Sequence, residues 1–429
     1  MNILLTGATG FIGNHLLSTL LRQGHQVTAC CRHPQHLLIT AENLTPLALD
    51  FAVSNTVADW LPHLNNIDAV INCVGIIAET KTQTFAKLHS EAPIALFQAA
   101  AQSGVKKVLQ ISALGADDHA QSPYHLSKRA ADDQLRQLPL DWFILQPSIV
   151  YGDGAQSTAL LHALAALPVQ LLPDGGRQTL QPIHLDDVVA AVCQCLKHTT
   201  PARQTLALVG ANPISYADLL KNLRRRLGKP AAVTVSVPMP FILLGARLGK
   251  WLGEPIFSKD TIAMLSRGNT ADATAVSALL GRPPAAITKQ LFEKPATQAE
   301  YWHAQLYFLK PVLWLSIALV WLWSGITSLV FYPHELSYQL LAELGITGKA
   351  GPLVLYGLAL LDIGLGVATL ARYKPNTLLM WQMAIVLGYS LIVAWSLPEF
   401  LIHPFGPLLK NLPFLLTLLI YHHLSGAKS

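Results

Sequence analysis

The segment Thr6-Gly7-Ala8-Thr9-Gly10-Phe11-Ile12-Gly13 restricts this chain to a narrow set of folds. It follows a short apolar run, Asn2 to Leu5, of the kind that forms a buried parallel strand. It opens a stretch, Phe11 to Gln23, that reads as a helix capped by Gly24. Three glycines at three-residue spacing between strand and helix have separate physical tasks. The first permits a tight turn, the second lets the backbone approach a pyrophosphate, and the third lets the helix pack closely on the strand. The helix start offers unpaired N–H groups and partial positive charge to phosphates. In this setting the glycines predict a dinucleotide site built from Gly7, Thr9, Gly10, Phe11, Ile12 and Gly13.

Further strands are expected at His25–Cys31, Leu47–Leu49, Asp68–Val74, Lys107–Ser112 and Trp142–Gln146, with helices at Pro93–Ser103 and Tyr124–Leu138. Strands alternating with helices imply an α/β fold with a Rossmann-type, doubly wound parallel sheet. From Gly152 to about Lys294 the pattern loosens and proline is frequent. The first domain is therefore read as residues 1–295, with 152–295 covering the cofactor and supplying the substrate pocket. An NAD enzyme usually carries an acid at the end of the second strand. Here that place reads Cys30-Cys31-Arg32-His33. Arg32 suits a 2′-phosphate, which favours NADP(H) over NAD(H); an arginine covering the adenine face is the other reading.

Only 13% of residues are charged, against about 25% in ordinary soluble proteins, and beyond Lys310 charges are sparse. Four apolar segments lie there: Pro311 to Tyr332, Pro352 to Ala371, Asn376 to Leu397, and about Gly406 to Tyr421, the last short and containing Lys410. About twenty helical residues cross a hydrocarbon core of about 30 Å, and tryptophans and tyrosines cluster around these segments. A four-helix transmembrane bundle is expected over residues 305–425. Arg372 and Lys374 share a short loop without an acid, so the positive-inside rule puts that loop in the cytoplasm. Four spans put the nucleotide domain on the same side of an inner (cytoplasmic) membrane, along with Lys428. Asp362 falls in mid-span and is expected to face the bundle interior, near Lys410 or a polar ligand, or in a helix-to-helix hydrogen bond.

The net charge of +5 is thinly spread and gives no nucleic-acid footprint. The basic run Lys221, Arg224, Arg225, Arg226 and Lys229 reads either as a solvated helix face or as a patch on anionic headgroups. Phe241 to Leu252 is too short to span and reads as a core or interfacial helix. The five cysteines lack zinc-site spacing and read as reduced core residues, with no metal site. Met1 leads into a strand without a basic start or cleavage site, so no signal peptide is expected.

Several motifs together resemble the short-chain dehydrogenase/reductase superfamily, in its atypical, complex I accessory-subunit-like branch, over about residues 1 to 295. They are the glycine loop, Asp50-Phe51, Asn72-Cys73-Val74-Gly75, Ser112, Tyr124-His125-Leu126-Ser127-Lys128, Gln146-Pro147-Ser148-Ile149-Val150-Tyr151-Gly152 and His184-Leu185-Asp186-Asp187-Val188. The resemblance implies that Asp50 and Phe51 flank the adenine, that Asn72, Val74 and Gly75 lie beside the cofactor, and that Pro147 and Ile149 belong to a loop over the nicotinamide. It also implies Tyr124 as acid/base, Lys128 as its partner and a ribose ligand, and Ser112 as the contact to the substrate oxygen. Tyrosine and lysine at i and i+4 share a helix face, and a nearby ammonium favours phenolate. His184 reads as a packed or capping residue, and Asp186 and Asp187 as caps of the following helix.

Trp321-Leu322-Trp323-Ser324-Gly325, Leu361-Asp362-Ile363-Gly364-Leu365-Gly366, Pro398-Glu399-Phe400 and His403 to Asn411 resemble the DoxX-like membrane family, over about residues 305 to 425. No catalytic residue is carried over from it. The combined expectation is a membrane-anchored NADP(H)-dependent oxidoreductase or epimerase-like enzyme. Its partners are the lipid bilayer, a small lipophilic or membrane-delivered substrate and a membrane redox partner. The rivals are a non-catalytic NADPH-holding structural or assembly factor and an NADP-sensing regulator.

Overall fold

The computed structural model describes residues 1–426 except 153, 252–264, 266 and 294. It divides into two units, Met1–Gln305 and Leu306–Ser429. In the first, the elements that position the site are β1 (Asn2–Thr6), α1 (Phe11–Arg22), β2 (Gln26–Cys31), β3 (Leu44–Ala48), β4 (Ala69–Asn72), α2 (Ala92–Gln102), β5 (Lys107–Ile111), α3 (Pro123–Arg136), β6 (Asp141–Pro147), α4 (Leu185–Leu196) and β7 (Gln204–Leu208). The sheet runs β7-β6-β5-β4-β1-β2-β3, with every pair parallel. Its order reverses at β1, the switch point where doubly wound sheets bind ligands.

Both sheet faces are apolar, as a sheet between two helical layers requires. Ile3, Leu5, Ile71, Leu109 and Phe143 pack with α1 and α4. Leu4, Val70, Val108 and Ile144 pack with α2 and α3. Two strands differ from the sequence expectation. β3 starts at Leu44 and contains Pro46, which an edge strand tolerates because one side of its backbone needs no partner. β7 lies in the stretch read as loosely patterned, and its five residues bury only Leu206 and Leu208.

The basic run follows neither of its two readings as a whole. Arg224 is buried and donates to the carbonyls of Ala165 (2.8 Å), Leu167 (2.6 Å) and Pro230. Arg226 pairs with Glu300 at 2.8 and 3.0 Å. Arg225 lies over the Phe292 ring and Lys229 over Tyr301. The guanidinium forks satisfy loop carbonyls and a carboxylate, a task for which their planar donors are suited. Phe241 falls in a helix, Met239–Trp251; Leu252 and the side chains of Arg247 and Lys250 lie outside the described residues. His184 caps α4, its Nδ1 accepting from the Asp186 N–H at 3.2 Å. Asp187 instead is buried, bound to Arg282 (2.5 Å) and the Ala285 N–H (2.7 Å).

The second unit contains α5 (Leu309–Ile326, continued to Phe331), α6 (Ala350–Leu370), α7 (Pro375–Ser396) and α8 (Asn411–Gly426). Among the described residues, three helices are long and apolar enough to cross a membrane: Leu309–Phe331, Ala350–Leu370 and Pro375–Ser396. The fourth expected span is a helix of 16 residues that begins after Lys410, about 24 Å at 1.5 Å per residue. Glycines bring α5 and α6 together: a Cβ on Gly325 would lie 2.5 Å from the Ala359 carbonyl oxygen, and one on Gly366 2.6 Å from Leu322 Cγ. Asp362 is half-buried and accepts from Ser324 Oγ at 2.7 Å, the helix-to-helix reading of that acid. Trp314 Nε1 donates to the Thr369 carbonyl at 2.6 Å, and Gln382 Nε2 to Thr369 Oγ1 at 2.7 Å.

Candidate active site

The glycine loop leaves β1 with Gly7 in the left-handed region at φ +70°, where a Cβ would lie 3.0 Å from the Cys73 backbone. A Cβ on Gly13 would lie 2.1 Å from the Gly7 carbonyl oxygen, so α1 closes onto the turn only through glycine. Gly10 is the N-cap of α1 and offers no side-chain acceptor, and no acid lies in the first turn. Thr9 and Gly10 are exposed, and Phe11 and Ile12 half-exposed. The N–H groups of a 12-residue helix therefore open onto a shallow cradle. These residues fit a dinucleotide pyrophosphate, which the helix start and the loop backbone would hold.

Across β1 and β4, a buried polar row supports this cradle. Thr6 Oγ1 donates to Asn72 Oδ1 (2.6 Å), which also accepts from the Val74 N–H (3.2 Å), while Asn72 Nδ2 donates to Gln110 Oε1 (2.7 Å). Asn72 thus fixes the Cys73–Gly75 segment instead of reaching outward. Gly75 leaves room for Lys128, whose Nζ a Cβ would meet at 3.2 Å. The Lys128 ammonium is buried and donates to the carbonyls of Val74 and Ile111, both at 3.1 Å. Burial lowers its pKa, partly offset by Asp132.

Helix α3 presents Tyr124, Lys128 and Asp132 at i, i+4 and i+8, along one face. Asp132 is fully buried and accepts from Ser112 Oγ at 2.5 Å. Burial pushes the Asp132 carboxyl up, against the Ser112 hydrogen bond and Lys128. Sequence reasoning put Ser112 against the substrate oxygen. While Asp132 is ionised it takes the Ser112 hydroxyl proton and leaves Ser112 only lone pairs toward a ligand; when Asp132 carries the proton, Ser112 can donate outward. Desolvation pushes the Tyr124 phenol up to about 12. Burial alone sets the Tyr124 phenol, against the lowering expected from Lys128, two of whose donors go to backbone carbonyls.

His89 went unnoticed in the sequence, as did Asp132. It lies in a π-helical turn, Ala86–Glu91, stacked on Phe85 and edge-on to the Tyr124 ring at 5.3 Å. Such turns recur at functional sites. His89 Nε2 accepts from the Ile76 N–H (3.0 Å), which leaves Nδ1 to donate to Ser127 Oγ (3.0 Å). Ser127 in turn donates to the Tyr124 carbonyl at 2.8 Å. Burial, then Lys128, hold His89 down to about 2, so it stays neutral.

The remaining expected residues are placed less uniformly. Arg32 is exposed just after β2 and meets Gln83. Asp50 closes a turn by accepting from the Ala52 N–H at 3.0 Å. Phe51 is buried edge-on to Trp60, with centroids 5.1 Å apart, so its ring belongs to the core. The Pro147 carbonyl accepts from the Leu114 N–H (2.9 Å), and the Ile149 N–H donates to Asn269 Oδ1 (3.1 Å). The loop over β6 is thereby pinned from the later part of the unit.

A glycine cradle at the switch point of a seven-stranded parallel sheet defines a Rossmann-type nucleotide-binding domain, here followed by apolar helices. Residues 7–199 match an NAD(P)H-binding family, and residues 318–419 match the DoxX-like family, a family of membrane proteins. The chain is an NAD(P)H-binding, oxidoreductase/epimerase-like domain joined to a DoxX-like membrane domain. The 40 kDa subunit of mitochondrial NADH-ubiquinone oxidoreductase from Neurospora crassa is 27% identical over 260 residues, 60% of this chain and 68% of that one. The ceramide reductase of Caulobacter vibrioides is 26% identical over 260 residues, 58% of this chain and 78% of its own. An NADPH-dependent quinone oxidoreductase from Escherichia coli, solved with NADPH, superposes with a TM-score of 0.55 at 18% identity, over 68% of this chain and 99% of that one. That last likeness is one of fold.

Proposed function

We propose that the chain is a membrane-anchored, NADP(H)-dependent oxidoreductase that reduces a lipophilic substrate delivered from the bilayer. The observation that carries this reading is the face of α3, where Tyr124, Lys128 and Asp132 stand in line beside Ser112 and the glycine cradle. Bound NADPH would supply a hydride. A phenol near 12 stays protonated at neutral pH, so Tyr124 is set to donate its proton to the substrate oxygen. Lys128 then stabilises the phenolate left behind. Ser112, when Asp132 holds the shared proton, donates a second hydrogen bond to the same oxygen. His89 and Phe85 hold the Tyr124 ring in place. The ceramide reductase relative supports a long-chain substrate, and the DoxX-like domain supports delivery through the membrane.

The same reading places the nucleotide domain on the cytoplasmic side of an inner membrane, with α8 as a fourth, short span. The Ser112–Asp132 hydrogen bond, which takes up the Ser112 proton while Asp132 is ionised, together with a relative that is a subunit of NADH-ubiquinone oxidoreductase, favours a second reading. In it, NADPH is held for structure alone.

Tyr124→Phe separates the two, because it removes one hydroxyl and keeps the ring. As an enzyme, the variant should bind NADPH normally yet lose about 10²–10⁴-fold in turnover, and fail to complement a deletion strain. Lys128→Met should fail and also bind nucleotide more weakly. Full complementation by Tyr124→Phe at normal protein level supports the structural reading.

A further inference from the structure

Arg32 follows β2, and Gln83 belongs to the loop after β4, yet their side chains meet. With its amide turned so that both groups find a partner, the Gln83 oxygen accepts from Arg32 Nη1 and, at 3.3 Å, Nη2. In the sheet, β1 lies between β4 and β2. Gln83 stands eleven residues beyond the end of β4, so the loop after β4 reaches to the end of β2, on the far side of β1, whose carboxyl end begins the glycine loop. The loop that brings Gln83 there is braced. Ile76 is tied to His89 (3.0 Å), the Phe85 N–H donates to Glu79 Oε1 (2.7 Å), and Thr80 and Gln83 bond each other at 2.9 and 3.1 Å. Arg32 itself is exposed and otherwise free to sweep many rotamers.

We propose that Gln83 is a positioning residue for nucleotide choice: it holds the Arg32 guanidinium over the glycine loop, forming a clasp that presents the remaining N–H donors to a 2′-phosphate and retards release of the nucleotide. The proposal rests on the reading that NADP(H) binds on this loop through Arg32. A guanidinium has five N–H donors in a fixed fork, so an amide oxygen can occupy one edge and leave another for phosphate. A neutral amide suits this role. It orders the arginine without cancelling the charge that attracts the phosphate, as a glutamate would.

The test measures NADPH and NADH affinity and NADPH dissociation rate on the full chain in lipid nanodiscs. Gln83→Ala should weaken NADPH about threefold to tenfold, the cost of ordering one free arginine side chain, chiefly through faster dissociation. NADH affinity should stay unchanged, which also reports an intact fold. Gln83→Glu should weaken NADPH further, again sparing NADH. In an Arg32→Ala background, Gln83→Ala should have no effect. An unchanged NADPH-to-NADH ratio in Gln83→Ala, in a protein that prefers NADPH, overturns the clasp alone. Absence of any NADPH preference in the unmutated chain overturns both the clasp and the Arg32 reading beneath it.

Discussion

In the nucleotide-binding unit, the buried polar side chains of Thr6, Asn72, Gln110, Ser112, Lys128 and Asp132 converge where β1, β4 and β5 end. In the membrane unit, Trp314, Ser324, Asp362, Thr369 and Gln382 are spread along the helices and meet in small sets. The first arrangement gathers unpartnered atoms, Asp132 Oδ1 and Gln110 Nε2, into one cluster; the membrane unit also holds unpartnered atoms among the described residues, Trp321 Nε1, Thr327 Oγ1 and Gln382 Oε1, but along its helices. Concentrated, incompletely satisfied polarity at one end of a sheet is costly for stability and useful for chemistry. Dispersed hydrogen bonds between helices fix how those helices pack, at modest strength in a bilayer.

If that contrast is right, changes in the two units should differ in kind. Gly13→Ala places a Cβ against the Gly7 carbonyl oxygen and should abolish NADPH binding measured by calorimetry. Its stability cost should be about 1–3 kcal/mol, as for other overpacked sites. Retained binding would show that the nucleotide does not depend on the close approach of α1 to this turn. The next effect is on stability against pH. His89 is held down to about 2 in the folded protein from an ordinary 6.5, so below pH 6.5 the unfolded chain takes up a proton that the folded chain does not. Stability is full above pH 6.5 and falls as pH drops, by about 2 kcal/mol between pH 6.5 and 5 at about 1.4 kcal/mol per unit. Thermal unfolding of the full chain should record this loss, and His89→Gln should flatten that part of the profile; an equal slope in both proteins would assign the loss elsewhere.

In the membrane unit, Ser324→Ala should cost only about 0.6 kcal/mol, the average for a hydrogen bond between membrane helices, measured by unfolding in detergent. A much larger loss would make Asp362 a site of the same kind as Asp132. Smallest of all, Gly364→Ala meets open space and should stay within about 0.5 kcal/mol of the unmutated chain.

Much of the first unit was legible because its signals are local. Gly7, Gly10 and Gly13 are read directly from spacing, and β2, β4, β5 and β6 follow from apolar runs, while β3 starts three residues before the expected Leu47. The short edge strand β7 was lost because only Leu206 and Leu208 are buried within it. Tyr124 and Lys128 are singled out by the family resemblance, but the Ser112–Asp132 pair joins residues twenty apart in sequence, and no motif announces it. Asp132 does stand four residues beyond Lys128 on the same face of α3, which is its one trace in the sequence. His89 left no trace of its own, since it stands among the polar residues Lys87, Ser90 and Glu91. The partners of Arg224 and Arg226 are long-range, so composition alone could not separate a basic surface from buried structural arginines. In the membrane unit, hydropathy located the helices, but the start of α8 depends on how Pro407 to Lys410 turn.

The proposed reaction moves a hydride from NADPH to a membrane-borne molecule, with Tyr124 as proton donor. Full-length protein in nanodiscs, supplied with NADPH deuterated at the transferable position and with lipid extract, tests this directly by mass spectrometry of the lipids. The unmutated chain should place one deuterium in a lipid product, and Tyr124→Phe should bind the same nucleotide while placing almost none. Bound NADPH that deuterates no lipid in either protein, alongside full complementation by Tyr124→Phe, would contradict it.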